Sequence, residues 1–153
     1  MFEAGICEEV AFREIGISYM KSQIRGNKLN PLIIIITSAS FGAIHLLYIL
    51  FDGYNSEYLF QALFATFLGC FLGCIFLRTG NIWPCIAVHS IHDLLSVFFL
   101  AKMEVNDYPV YIYIWLAVGE ALLALWGLFL IRKKKHPEIK ELWDEKWQIE
   151  EQD

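Results

Sequence analysis

Four acid and imidazole side chains occur in three apolar stretches of the sequence, and together they offer the chemistry of a hydrolase. They are Glu8, His45, His89 and Asp93. A carboxylate in a partly dry pocket can accept a proton as a general base, and an imidazole N–H can donate to a negatively charged oxygen. If these groups converge on one water molecule, we expect them to activate it for hydrolysis.

Spacing along single helices predicts two local pairs among these residues and their neighbours. Glu9 and Arg13 are four residues apart, as are His89 and Asp93, so the members of each pair can share a helical face. An ion pair with Arg13 would keep Glu9 charged. Glu8 lies about 100° around the helix from Glu9 and is therefore free to point elsewhere.

Long apolar runs supply the helices that must hold these side chains. Each of four runs is close to the roughly 20 residues that cross a bilayer as a helix. The runs are 32–51, 59–77, 82–101 and 110–131. Ahead of them, residues 3–15 show apolar side chains at helical spacing with acids among them. The expected fold is all-α, a polytopic transmembrane helical bundle with four full spans and an N-terminal motif helix.

Ionisable side chains inside such spans are costly, by roughly 2.5 to 3.5 kcal/mol each on insertion scales. A lone histidine in a span is more often a core residue bonded to a carbonyl than a catalytic one. Several uncompensated polar groups would each cost stability unless they met, which favours convergence of the four groups named above. Glu120 is interpreted as a packing acid or a group lining a polar cavity, and His92 as a supporting group or one facing a polar gap.

The basic residues fall on one side of the predicted bundle. They occur before the first span, between the second and third, and after the fourth: Lys21, Arg25, Lys28, Arg78, Arg132, Lys133, Lys134 and Lys135. In the opposite loops, 52–58 and 102–109, Lys102 is the only basic residue, and the other charged residues are acidic. Because basic loops are retained in the cytoplasm, we expect a multi-pass cell-membrane protein with a cytoplasmic C-terminus.

The chain divides into a membrane-embedded core over residues 1–136 and a charged cytoplasmic tail over residues 137–153. Trp143 and Trp147 lie four residues apart in the tail, which is typical of a short interfacial helix. A solvated tail without a site is the other interpretation.

Composition excludes several classes of protein. The net charge is −5, with 12 Lys and Arg against 17 Asp and Glu, and no basic stripe with interleaved aromatics is present to bind nucleic acid. Hydrophobic residues make up 57% of the chain, against roughly 45 to 50% in soluble domains, which argues against disorder. The four cysteines form no C-x-x-C pair and are interpreted as small apolar fillers.

Three motifs, read in order, resemble the signatures of one protease family. They are Glu8-Glu9-Val10-Ala11-Phe12-Arg13, Phe41-Gly42-Ala43-Ile44-His45 and His89-Ser90-Ile91-His92-Asp93. They resemble the E-E-x-x-x-R, F-x-x-x-H and H-x-x-x-N/D motifs of the CPBP family, which comprises CAAX proteases, bacteriocin-processing enzymes and abortive-infection-type membrane proteases. The resemblance covers roughly residues 5–100.

This resemblance implies a glutamate-type intramembrane endopeptidase that uses neither a metal nor another cofactor. By the resemblance, Glu8 is the general base and activates water together with His45. His89 and Asp93 would bind the oxyanion that develops on the scissile carbonyl.

The resemblance also implies supporting roles for three further motif residues. Glu9 and Arg13 would brace the first motif, and Phe41 would pack beside His45. Asp93 stands where the family often has Asn, and an ionised Asp donates no hydrogen bond. Asp93 is therefore expected either to be protonated or to orient His89 by fixing its tautomer.

The partners implied are the lipid bilayer and a peptide or protein substrate, cut near the cytoplasmic membrane face. Prenylated C-terminal peptides are cut by some relatives, and bacteriocin or pheromone precursors fit equally well. Family members usually carry further spans before the first motif, whereas seven residues precede Glu8. We expect either upstream spans ahead of Met1 or a first helix that enters only part of the membrane.

Two other functions stay open at this point. One is a non-catalytic membrane interaction protein, such as a bacteriocin-immunity factor, that keeps the polar core for folding. The other is a metal hydrolase, because Glu, His and Asp are ligand types of zinc and manganese. The metal alternative ranks third because the sequence has no H-E-x-x-H motif.

Overall fold

The computed structural model describes residues 2–24, 30–100 and 110–150. Within these ranges the chain is helical and has no strand, which confirms the predicted all-α class. The elements are α1 (Phe2–Glu9), a π-helical segment (Val10–Ile17), α2 (Ser18–Gln23), α3 (Asn30–His45), α4 (Tyr48–Asp52), α5 (Ser56–Thr79), α6 (Trp83–Leu100), α7 (Val110–Leu130), a 3₁₀ turn (Lys133–Lys135) and α8 (His136–Glu150).

Three helical stretches in the described ranges are long and apolar enough to cross a membrane. They are Asn30–Asp52, Ser56–Thr79 and Tyr111–Leu130, and they correspond to the first, second and fourth predicted spans. The predicted third span, 82–101, coincides with α6, which is not one of these three. Its last residue, Ala101, lies outside the described residues, and a total of four spans stays a prediction.

The outer faces of the long helices carry apolar side chains without packing partners. Ile35, Trp115 and Leu125 are 61%, 72% and 61% exposed. Such a surface is unfavourable in water but matches the hydrocarbon of a bilayer. The outer faces and the apolar helices are those of a membrane protein.

The N-terminal motif helix runs without a break through α1, the π-helical segment and α2. Its buried face repeats every four residues: Gly5, Glu9, Arg13, Ile17 and Lys21. In an α-helix four residues turn through about 400°, so such a face would drift by about 40° per repeat. The wider turns of the π-helical segment reverse this drift, because they rotate less per residue. The π-helical segment thus keeps Glu9 and Arg13 of the first motif on one buried face.

The first predicted span is interrupted beside a candidate site residue. Residues 32–51 were expected as one helix, but α3 ends at His45 and α4 begins at Tyr48. Between them the Leu46 N–H donates to the Ala43 carbonyl at 3.0 Å and the Leu47 N–H donates to the Ile44 carbonyl at 3.1 Å. These hydrogen bonds join residues three positions apart, as in a 3₁₀-helix, so the helix is wound more tightly immediately after His45.

Helix α5 lies between α3 and α7 and approaches both closely at glycines. A Cβ on Gly42 of α3 would lie 1.9 Å from the Thr66 Oγ1, and one on Gly127 of α7 would lie 3.0 Å from the Phe71 Cα. Only glycine fits at the first of these contacts. The close packing brings Phe41, next to Gly42, into the centre of the bundle, where it is 1% exposed.

Helix α8 packs against the C-terminal end of α5. Trp143 is completely buried, its Nε1–H donates to the Leu77 carbonyl at 2.9 Å, and its ring meets the edge of Phe76 at 5.7 Å. Glu138 pairs with Arg78 at the same end. The alternative of a solvated tail is therefore wrong for α8, because its tryptophan gains more from burial than from water. The side chain of Trp147 lies outside the described part.

Candidate active site

His89 lies at the centre of a cluster of three carboxylates. Its Nδ1 is 2.8 Å from the Glu9 Oε1, and its Nε2 is 3.7 Å from the Glu8 Oε2 and 3.6 Å from the Asp93 Oδ1. The ring is buried, with 5% of its surface exposed. The structure thus brings the two acids of the first motif, at the end of α1, against the third motif, on α6. Of the predicted set, Glu8, His89 and Asp93 meet at one ring nitrogen.

The Glu9 carboxylate contacts two side chains, one through each of its oxygens. Its Oε2 is 3.1 Å from the Arg13 Nε, which confirms the predicted ion pair, and its Oε1 accepts from His89. The bond to His89 was missed in the sequence, because periodicity reveals partners on one helix but not on another. A proton on the Nδ1 directs the free Nε2 of His89 towards Glu8 and Asp93.

Arg13 and the two site histidines all contact the ring of Phe41. The Arg13 guanidinium lies over the Phe41 ring at 4.5 Å, a cation–π contact that stabilises a buried cation. The Phe41 ring presents an edge-to-face contact to His45 at 5.3 Å and to His89 at 5.9 Å. The predicted packing of Phe41 beside His45 is confirmed. Phe41 also links the second motif to the third.

His45 is held differently from His89. Its Nδ1 is 2.9 Å from the Phe41 carbonyl oxygen, which can only accept, so this nitrogen carries the proton. In the neutral ring the Nε2 then keeps a lone pair. Within the described residues no ion pair joins His45 to a carboxylate. His45 is thus held by a neutral backbone acceptor, whereas His89 is held by carboxylates.

Two cavities share His45. One, of about 340 Å³, is lined by His45, His89 and Asp93, and by aromatic side chains. The other, of about 270 Å³, is lined by Glu8 and His45. The predicted convergence on one water molecule requires Glu8, His45 and His89 to face a single cavity. Instead, Glu8 lines only the smaller of these two cavities and His89 only the larger, and His45 lines both.

A second imidazole–carboxylate pair lies next to the cluster. The His92 Nε2 is 2.8 Å from the Glu120 Oε1 on α7, and the His92 Nδ1 is 3.8 Å from the Asp93 Oδ1. Sequence reasoning did not pair these residues, since one is on α6 and the other on α7. The signal available was that Glu120 is the one charged residue in the apolar run 110–131.

The described residues include no group of three or more His, Cys, Asp or Glu side chains arranged as metal ligands. The carboxylates and imidazoles instead bond to one another and to Arg13. The metal-hydrolase alternative therefore gains no support from this geometry.

The site lies deep in the bundle. His89 and Asp93 follow Trp83, the first residue of α6, by 6 and 10 residues, which corresponds to about 9 and 15 Å along a helix. The larger cavity is also lined by Glu57 and Tyr113, in the first turns of α5 and α7. Those turns are at the opposite end of the bundle from Asn81, Arg78 and α8. The cavity thus extends from the centre of the bundle away from its basic end.

Comparisons with known proteins agree with this arrangement. No curated protein and no solved structure matches the chain. Residues 1–95, which include all three motifs, match the family described as Type II CAAX prenyl endopeptidase Rce1-like. The match favours the protease interpretation and gives no support to a bacteriocin-immunity role. With most of its length matched and its motif residues gathered at His89, the chain belongs to the Rce1-like family of type II CAAX prenyl endopeptidases.

Proposed function

We propose that this protein is an intramembrane endopeptidase in which Glu8 and His45 activate a water molecule for attack on a peptide bond. The observation that carries the proposal is the meeting of two motifs at His89, where Glu8 and Asp93 both approach the Nε2 within 3.7 Å. Family membership supports the reaction class.

The contacts assign a role to each side chain. Glu8 takes a proton from water, helped by the lone pair of the His45 Nε2, and later delivers the proton to the leaving amine as the C–N bond breaks. His89 must carry protons on both nitrogens to donate from the Nε2 to the oxyanion, because its Nδ1–H already donates to Glu9. Asp93, beside the Nε2, orients the ring and supports its charge.

The site depth favours hydrolysis inside the membrane. A hydrocarbon core is about 30 Å thick, so a site about 9 to 15 Å from the start of α6 lies between the outer third of the core and its middle. We expected cleavage near the cytoplasmic face; the helix lengths favour a site inside the core, with the larger cavity extending towards the end opposite the basic loops. The clustering of Arg78 with the basic segment after α7 supports a cytoplasmic C-terminus.

The cavity chemistry fits an apolar peptide segment. Phe60, Phe64 and Leu68 line the larger cavity beside His89 and Asp93. Such a lining suits a peptide that is delivered in the bilayer, whether by a prenyl group or by its own apolar sequence. The family favours a prenylated C-terminal segment as substrate, and bacteriocin or pheromone precursors are the alternatives to be tested beside it.

The test uses the purified full chain in proteoliposomes with an internally quenched farnesylated peptide that ends in a C-a-a-X sequence. Glu8→Ala should reduce hydrolysis by about 1,000-fold or more, as removal of a catalytic base does. Glu14→Ala is the matched control: it removes an acid from the same helix that pairs with Lys146 outside the site. Wild-type rates in Glu8→Ala would refute the assignment of the base.

A chelator separates this mechanism from metal catalysis. We expect EDTA and 1,10-phenanthroline to leave the rate unchanged, since the base and the oxyanion donors are side chains. Loss of activity that zinc restores would contradict the proposal. A wild-type chain that inserts and binds the peptide but cleaves none of the precursors would favour the non-catalytic interaction protein.

A further inference from the structure

Glu120 is an ionisable residue in an apolar helix, where burial of a charge costs free energy, and it belongs to none of the three motifs. It lies in the middle of α7, where all of its neighbours in the helix are uncharged. Its side chain is 12% exposed, and its one described bond is to His92. A carboxylate in such a span normally marks a functional site. The question is what its partner His92 does.

His92 lies between Glu120 and the catalytic cluster. Its Nε2 is 2.8 Å from the Glu120 Oε1, and its Nδ1 is 3.8 Å from the Asp93 Oδ1. That same Asp93 oxygen is 3.6 Å from the His89 Nε2. One oxygen of Asp93 therefore lies between two imidazoles, and the groups form a row from α7 to the centre of the site.

Whether the contacts in this row are attractive depends on which of its atoms carry protons. A proton is required between the Glu120 Oε1 and the His92 Nε2, because both atoms otherwise present lone pairs. The His92 Nδ1 has no hydrogen-bond partner among the described residues, and the Asp93 Oδ1 lies 3.8 Å from it, at ion-pair distance. A ring flanked by two carboxylates favours its charged form, so His92 carries both protons.

Resting on the proposed function, we propose that Glu120 and His92 are positioning residues that hold Asp93 ionised beside His89. Glu120 stabilises the charged His92, and the charged His92 attracts the Asp93 oxygen. Asp93 in turn supports a doubly protonated His89, the form that can donate to the oxyanion from the Nε2. This resolves the open role of Asp93: it orients and charges His89 rather than donating a hydrogen bond itself.

The kinetic test replaces Glu120 with Gln, which keeps the size and an acceptor oxygen but removes the charge. Neither residue of the pair touches the reacting atoms in this account, so kcat should fall roughly tenfold, at the low end of losses behind an active-site imidazole, while KM stays unchanged. Glu120→Asp should restore part of the rate and Glu120→Leu none. Glu14→Gln is the matched control and should behave as wild type. An unchanged kcat in Glu120→Gln would overturn the proposal.

A second measurement does not depend on activity. In ¹⁵N-histidine-labelled protein in micelles at neutral pH, the His92 ring nitrogens should show the near-equal shifts of a doubly protonated ring. The shifts should separate in Glu120→Gln, and those of His89 should move with them; His92→Gln identifies the signals. If the ¹⁵N shifts of His92 and His89 do not change in Glu120→Gln, the positioning role is overturned, even if the peptide is never cleaved. Coupled shifts in a protein whose Glu8→Ala variant is fully active would instead sink the proposed function and leave the row intact.

Discussion

The cluster around His89 and the contacts of α8 use the same charged residue types in opposite surroundings. Glu9 and Arg13 are 0% and 2% exposed, whereas the side chains of Lys140 and Asp144 on α8 are 62% and 43% exposed. Water cannot take over the role of a partner in the first region but does so readily in the second. The buried cluster therefore needs every member, while α8 depends on its apolar anchor.

The largest effect on stability is expected from Arg13→Met. It would leave Glu9 buried without its cation and should cost about 3 to 5 kcal/mol of unfolding free energy. Detergent-based thermal unfolding of the variant against wild type measures this. The double variant Glu9→Gln with Arg13→Met removes both charges and should recover much of the loss without restoring hydrolysis. A double variant less stable than Arg13→Met would contradict the uncompensated-charge explanation.

The anchor of α8 should come next. Trp143→Ala removes a fully buried ring and the bond to the Leu77 carbonyl, and such a truncation costs about 3 to 5 kcal/mol where the site cannot collapse. The effect should be somewhat smaller here because α8 lies at an end of the bundle. Trp143→Phe keeps most of the packing and should lose about 1 kcal/mol. Limited proteolysis after α7 should detect release of α8 in the alanine variant, and equal stability of both variants would argue against the anchor.

Glycines extend the comparison to the backbone. Gly42→Ala places a Cβ 1.9 Å from the Thr66 Oγ1 and 2.6 Å from the Ala62 carbonyl oxygen, and overpacking of this kind costs about 1 to 3 kcal/mol. Gly119→Ala on α7 meets nothing within 4 Å, so it should be neutral or slightly stabilising. Thermal unfolding of the two variants side by side decides the point. Equal effects would show that α3 and α5 are not tightly packed.

The smallest effect is expected at the exposed Glu138. The hydrogen bond from Lys135 and the charge of Arg78 lower the pKa of this carboxyl from its ordinary value of 4.5. A lowered folded-state pKa means that its contribution is present above the ordinary pKa and is lost as the pH falls through the lowered one. Glu138→Gln should therefore lower Tm only slightly at neutral pH, and the difference in Tm from wild type should shrink as the pH falls below 4.5. A difference in Tm that grows on acidification would contradict this sign.

Contacts within one helix were predictable from the sequence. The ion pair of Glu9 with Arg13 follows from a four-residue spacing, and the packing of Phe41 beside His45, which the family resemblance implied, has the same spacing. The all-helical class follows from the long apolar runs. These features depend on helix geometry alone, which is why they needed no tertiary structure.

Contacts between helices were not predictable in the same way. The bonds from Glu9 to His89 and from His92 to Glu120 join residues that are 80 and 28 positions apart, and no periodicity relates such positions. The π-helical segment and the break after His45 also escaped, because they are local departures that packing imposes on the α-helix. The burial of Trp143 depends on its contacts with Phe76 and Leu77 at the end of α5, which only the folded chain provides.

The most direct test of the central claim, that Glu8 and His45 act on one water molecule, is a double-mutant cycle on hydrolysis of the farnesylated peptide. The variants are Glu8→Asp, which shortens the base by one methylene, His45→Gln, and the two combined, each with an unchanged Tm. Groups that act as a unit lose little more together than alone. We predict that kcat/KM of the double variant lies within about threefold of the value for the less active single variant. Losses that multiply would show that the two side chains act independently and would contradict the account.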